Sequence, residues 1–226
     1  MLVTLAIAVP FGVAAGLWLE EYAPKNKLTA IVEINIANLA GVPSVVYGLM
    51  ALGVFVYAFG FGHSILTAGL TLAALILPIV IVATREALRT IPRAMREASY
   101  ALGATKWETV RHHLLPYSAG GIATGVIIGL SRAIGETAPL ITVGALAFIA
   151  YLPPAPVTSE PPFVSFGWLG SDFTVLPIQM FNWVSRPDPA FQQNAAATGI
   201  LLVVVTLIVN ALAICIRARV RRRIQW

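Results

Sequence analysis

Residues 97–116, EASYALGATKWETVRHHLLP, decide how this chain is read. They carry charge between two strongly apolar regions and are punctuated as two short helices with a joint. Met95, Ala98 and Leu102 give the first helix a weakly apolar face. Gly103 comes next, the residue type that ends a helix by taking a positive φ without steric cost. Thr105 and Glu108 then stand at the spacing of a reciprocal capping box, which starts a new helix. Trp107, Val110 and Leu114 line one side of that second helix, and Pro116 opens the next apolar run. A helix–Gly–helix element hung between membrane spans has the form of a docking knob for a partner in the cytoplasm.

Outward from this stretch the composition is that of a chain dissolved in lipid. Of 226 residues, 58% are hydrophobic and 11% charged, with a mean hydropathy of +0.83. An ordinary water-soluble domain is excluded. The net charge of +5 does not point to nucleic acid, because Arg217, Arg219, Arg221, Arg222 and Arg223 directly follow an apolar run. They read as a membrane-flanking cluster. The single cysteine, Cys215, excludes an intramolecular disulfide and a Cys-based metal site, and is expected to be a small buried residue of the last span. His63, His112 and His113 lack the spacing with carboxylates that a metal centre needs. No G-x-x-x-x-G-K-[ST] occurs, so this chain is expected to hold no cofactor, and any ATP and Mg belong to a partner.

The spans follow from hydropathy and its interruptions. Leu2–Leu19 is long enough to cross a ~30 Å hydrocarbon core at about 1.5 Å per residue. No Lys or Arg precedes it, so it is no convincing signal peptide. A polar turn follows with Glu20, Glu21, Pro24, Lys25 and Lys27. The apolar region Ile31–Phe61 is broken at Gly41-Val42-Pro43, since Pro43 disfavours helix at Val42. An interfacial entry and then a span over Ser44–Tyr57 are expected. The third span is Ile65–Ala83, ended by Arg85, Glu86 and Arg89, which begin a loop over 85–115 where Pro92 starts a short helix. After Pro116 a fourth span runs to Ile149, bent or broken at Gly135 and Pro139. A Pro- and aromatic-rich loop over 153–194 carries Glu160, Asp172 and Asp188 against Arg186, and the final span is Ala195–Ile216.

Of the 15 Lys and Arg, all but Arg132 and Arg186 fall on one side of this arrangement. The positive-inside rule makes that side cytoplasmic and the 153–194 loop external. About five spans, by the ~20-residue criterion, then leave Met1 outside with no charge to direct it. A further helix upstream is therefore expected in the complete protein.

Arg132 and Glu136 are the charges inside the membrane. At i and i+4 they are expected on one helix face. A charge within the bilayer costs a few kcal/mol or more unless it faces a wet cavity or a partner. Two roles fit: mutual neutralisation that supports a kinked helix, or an anion route lined by the planar guanidinium fork, with Glu136 holding the Arg in place. Gly41, Pro43 and Ser44 fit either a pathway helix or close helix packing. Trp168, Trp183 and Tyr151 fit either the aromatic belt of a membrane interface or contacts with an external binding protein.

The opening stretch resembles the EAA loop of ABC importer permeases, whose pattern is E-A-A, three residues, Gly, nine residues, then I-x-L-P. Glu97, Ala98, Ser99, Gly103, Leu115 and Pro116 fall at those spacings. Ser99 replaces the second Ala, and His113 stands where Ile is usual. Longer strings resemble the phosphate importer permeases of the PstA family: WLEEYAP (18–24), LAGVPSVVYGL (39–49), LSRAIGETAPL (130–140), LPIQMFNWVSRP (176–187) and the NAAATG run from 194. The resemblance implies one permease domain over 1–226 with the all-α, MetI-like type I importer fold and about six spans in a complete subunit, in a bacterial inner membrane. It implies a PstC-like second permease, a dimeric PstB-like ATPase docked on the EAA loop, a PstS-like phosphate-binding protein, and no bond chemistry in this chain. By the same resemblance Arg132 and Glu136 belong to the phosphate pathway, and ATPase closure rocks the spans between outward and inward states. A permease for sulfate or molybdate would keep the EAA loop but lacks the longer strings. A stand-alone channel is the more distant alternative.

Overall fold

The computed structural model describes the chain except residues 147, 148, 150, 158–162, 164 and 223–226. The first helix, α1, is Leu2–Leu17 and ends in a π-helical turn, Trp18–Tyr22. Next come α2 (Lys27–Leu39), capped by the Asn26 side chain, and α3 (Ser44–Ala51), which continues as a π-helical stretch, Leu52–Ala58. Then follow α4 (Ile65–Arg89), α5 (Arg93–Ala101) and α6 (Lys106–Thr109), the last leading through a π-turn at Val110–Leu114 into α7 (Leu115–Gly135). The chain closes with α8 (Ala138–Thr142), α9 (Leu176–Val184) and α10 (Pro189–Arg222). Among the described residues, four helices are long and apolar enough to cross a membrane, or five if the pair broken between Leu39 and Ser44 counts as one.

Several boundaries differ from the sequence expectation. The Ser44–Tyr57 span begins at Ser44, but α3 with its π-helical continuation is short for a ~30 Å core and qualifies only together with α2. The third span does not stop at Ala83: α4 continues to Arg89. The 153–194 loop contains a helix, α9, and the last span starts at Pro189 rather than Ala195. Asp188 begins it, its side chain accepting from the Ala190 N–H at 2.9 Å. Glu160 and Arg223 lie outside the described residues.

The chain forms two compact units. One comprises Met1–Ile7, Val42–Leu75 and Ala133–Ile208. Within it α3 lies against α8 so closely that a Cβ on Gly48 would meet the Thr142 hydroxyl and lie 2.7 Å from the Pro139 Cα. Gly69 of α4 meets Val3 of α1 in the same way, and the Thr4 hydroxyl donates to the Gly69 carbonyl at 3.2 Å. The Ile65 N–H donates to Ser171 O at 3.0 Å and the Leu146 N–H to Phe173 O at 2.9 Å, fixing the loop before α9.

The other unit comprises Ala8–Gly41, Ile76–Arg132 and Val209–Trp226. Here α4 is the central helix. Gly12 and Gly16 of α1 face its Val80 and Thr84, and Gly121 and Gly125 of α7 face its Ala87 and Ala83. Each pair is a small-xxx-small stripe, which lets backbones approach in a bilayer. Buried Leu88, Ile91, Val110 and Leu114 form a core joined by Leu17, Met95, Leu115 and Tyr117. Arg85 was expected to flank the membrane in water, but it is buried. Its guanidinium makes ionic contacts with Glu33 at 2.7 Å and Glu20 at 3.5 Å. Cys215, expected to be buried, is exposed on α10, whose span window has no residue buried in this chain. Hydropathy had placed that helix in the bilayer without saying what covers it.

Candidate functional site

The Glu97–Pro116 stretch folds as its punctuation demands. After α5 the Gly103 φ is +86°. The Gly103 N–H donates to Tyr100 O at 2.9 Å and the Ala104 N–H to Ser99 O at 3.2 Å, which together make a Schellman motif. The capping box is complete: the Glu108 N–H donates to Thr105 Oγ1, and the Thr105 N–H donates to Glu108 Oε2 at 2.8 Å. One contact then locks the two helices together. The Ser99 and Thr109 hydroxyls meet at 2.8 Å in a buried position, and Thr109 also donates to Thr105 O at 3.0 Å. Ser99, one of the two departures from the EAA pattern, is thus buried and gains a polar partner there.

The exposed surface of this knuckle carries three large apolar side chains among charged ones. Leu102 is 89% exposed, Trp107 56% and Tyr100 41%. The expected faces are therefore only partly correct. Met95 turns to the core, whereas Leu102 caps the helix at φ −82°, ψ 2° and so leaves the helical face its spacing suggested. Val110 and Leu114 are fully buried, but Trp107, in the first turn of α6, is not. Glu97, Ala98, Gly103 and Pro116 are exposed and Leu115 is half-buried. His112 and His113 are exposed on the π-turn, as a solvated loop requires.

Arg132 lies in the last turn of α7, half-buried, and its Nη1 donates a long hydrogen bond, 3.4 Å, to the carbonyl of Ala40. Ala40 caps the C-terminus of α2, so the cation meets the negative end of a helix dipole. The Ser131 hydroxyl beside it donates to Asn210 Oδ1 at 2.5 Å. Glu136 is not on the same helix, because α7 stops at Gly135 and the chain is non-helical at Glu136 and Thr137. It lines a cavity of about 240 Å³ with Leu72, Leu140, Phe173 and Thr174. The i, i+4 spacing was read as putting both charges on one helix face, and the break at Gly135, itself expected, removes that premise. Gly41 makes no close packing contact; the glycine that needs its size is Gly48. Sequence reasoning missed Gly48 and the two glycine stripes, although their four-residue spacing was visible. Among the described residues, no group of three or more His, Cys, Asp or Glu could hold a metal.

Residues 8–226 match the family described as "Binding-protein-dependent transport system inner membrane component". The chain is 37% identical over 146 residues to the probable ABC transporter permease protein YqgI of Bacillus subtilis, covering 65% of this chain and 50% of that protein. It is 30% identical over 221 residues to the phosphate transport system permease protein PstA 1 of Mycobacterium tuberculosis, covering 98% of this chain and 68% of the relative. The chain thus spans half the length of the first relative and about two thirds of the second. An inward-facing structure of the MetNI methionine ABC transporter shares the fold, with a TM-score of 0.69, 19% identity, and coverage of 97% of this chain and 88% of that one.

Proposed function

The chain belongs to the family of binding-protein-dependent transport system inner membrane components, and from that premise we propose that it is the permease subunit of an ATP-driven phosphate importer. The observation that carries the coupling half of this reading is the knuckle. A Schellman turn, a capping box and a buried hydroxyl pair make it rigid, yet it holds Tyr100, Leu102 and Trp107 out to solvent. Large apolar side chains on a rigid exposed element suit a protein partner. The 85–115 loop carries six of the 15 Lys and Arg, which favours the cytoplasmic side and hence an ATPase. In this reading Glu97, Ala98, Ser99, Gly103, Leu115 and Pro116 form the coupling element.

The phosphate half rests on likeness to PstA over 98% of the chain and on Arg132. Its guanidinium is held half-buried against a helix C-terminus, where it can offer donors to a passing oxyanion. Glu136 limits how tightly the anion is held, so that it can leave again. The complex would contain a similar second permease, a dimeric ATPase carrying ATP and Mg, and an external phosphate-binding protein that does most of the selecting. It would sit in the inner membrane with the knuckle and the C-terminus inside.

The test is reconstitution of that complex in vesicles, with ATP turnover and uptake measured for inorganic phosphate, sulfate and molybdate. Phosphate alone should stimulate both. Stimulation by sulfate or molybdate instead would reassign the substrate, and flux through this chain without an ATPase would make it a channel.

A further inference from the structure

We propose that the end of α1 is the receiving part of the coupling machinery: Glu21 and Tyr22 hold both helices of the knuckle and pass its displacement into the first span. This rests on the importer reading above. Glu21 and Tyr22 stand in the π-turn that ends α1, a helical irregularity frequent at functional sites. Three consecutive residues there are each engaged from a different element. Glu20 accepts from Arg89 of α4 at 2.9 Å. Glu21 accepts from Arg96 of α5 at 2.7 Å through Nη2 and 3.1 Å through Nε. Lys106 of α6 places its ammonium 4.9 Å from the centre of the Tyr22 ring.

The Glu21–Arg96 contact is built for stiffness. Both side chains are largely buried, 6% and 17% exposed, and two guanidinium donors converge on Oε1, with Nε also 3.4 Å from Oε2. The same guanidinium also donates to the carbonyls of Ile91 at 2.8 Å and Leu88 at 3.0 Å, where α4 ends and the knuckle begins. Arg96 is therefore fixed at once to the α4 end, to α5 and to α1. Leu17 and Met95 pack against the same apolar core and close the joint from inside. Arg96 immediately precedes Glu97, so any push on the coupling stretch reaches Glu21 without passing through a flexible segment. Glu21 is a positioning residue here; it touches neither nucleotide nor anion.

The experiment uses the reconstituted importer with its second permease, ATPase and phosphate-binding protein. It reads phosphate taken up per ATP hydrolysed, alongside recovery of the assembled complex. E21Q and R96K should leave assembly intact and lower uptake per ATP by about tenfold, the range of coupling one such contact set carries. Y22L should lower the same ratio and Y22F restore it, because only the ring face is needed. Unchanged ratios in all three disruptive variants would overturn the proposal. So would a proportional fall in uptake and hydrolysis, or loss of assembly in both E21Q and Y22L, since each would mark a merely structural joint. If the wild-type complex fails to respond to phosphate, it is the substrate assignment that falls, and the ratio is then measured with the anion that does stimulate.

Discussion

Substitution of Gly103 separates the conformation of the knuckle from its use. At φ +86° any L side chain is strained, by about 1–2 kcal/mol for a simple Cβ. No atom lies within 4 Å of where that Cβ would be, so the cost is conformational alone. G103A should therefore destabilise the Schellman turn by that amount, a shift of roughly 5- to 30-fold in how often the joint is closed. G103W carries the same backbone cost, and its indole projects into open space, so the isolated permease should lose no more stability than with Ala. An ATPase seated on the knuckle changes this comparison, because the indole then occupies the partner's volume. The assay pairs thermal unfolding of the permease in nanodiscs with its affinity for the ATPase subunit. The expected result is an equal loss of thermal stability in the two variants. ATPase affinity should fall at least about tenfold further for G103W, the equivalent of roughly 1.4 kcal/mol of lost contact. Equal affinities for G103A and G103W would show that nothing docks at the joint. Unchanged stability in G103A would refute the backbone argument itself.

Four further outcomes follow from the geometry. T105A removes the cap of α6, costs about 1 kcal/mol, and should speed hydrogen exchange at the Trp107 and Glu108 amides. G48V places a Cβ against the backbone of Pro139, which cannot yield as a side-chain tip can. It should cost about 1–3 kcal/mol or more in thermal stability, whereas G53A, in open space, should be neutral. R85A removes the buried cation from Glu33, while Glu20 keeps Arg89, and should cost roughly 3 kcal/mol, with part recovered on adding E33Q. R132A should assemble normally and take up no phosphate in vesicles; normal uptake would leave Arg132 a support for the α2 end and nothing more.

The features legible in the sequence were those written in the chemistry of one or two residues close together in the chain. Pro43 sets the start of α3 at Ser44, Gly103 supplies the positive φ, Thr105 and Glu108 cap α6, and the chain breaks after Gly135. Each depends on a local backbone restriction that no distant contact can override. The α9 helix was missed although Pro177 stands in its first turn, a favoured place, because the surrounding proline and aromatic content reads as loop. The start of α10 was set too late for a similar reason. Hydropathy begins at Ala195, but the helix is started by the Asp188 cap, seven residues earlier. Leu102 went wrong because helical spacing was applied to a residue that is the cap and no longer helical.

Arg85 shows why the remainder was out of reach. A hydropathy reading ends a span at its first charge, since an unpaired guanidinium in hydrocarbon is costly. That inference is sound for one helix taken alone. It fails here because Glu20 comes from the end of α1 and Glu33 from the middle of α2, segments far away in sequence, to pair with it. With those carboxylates in place the backbone has no reason to stop, and α4 continues to Arg89. The glycine stripes on α1 and α7 depend on the same circumstance. Gly12, Gly16, Gly121 and Gly125 fit close packing only because α4 presents Val80, Ala83, Thr84 and Ala87 to them. Each stripe could be read from its own helix, but the choice of α4 as their common partner could not. The carboxylates from α1 and α2 thus let α4 run on to Arg89, and the knuckle is braced on the end so formed, through the Leu88 carbonyl and the core around Leu88.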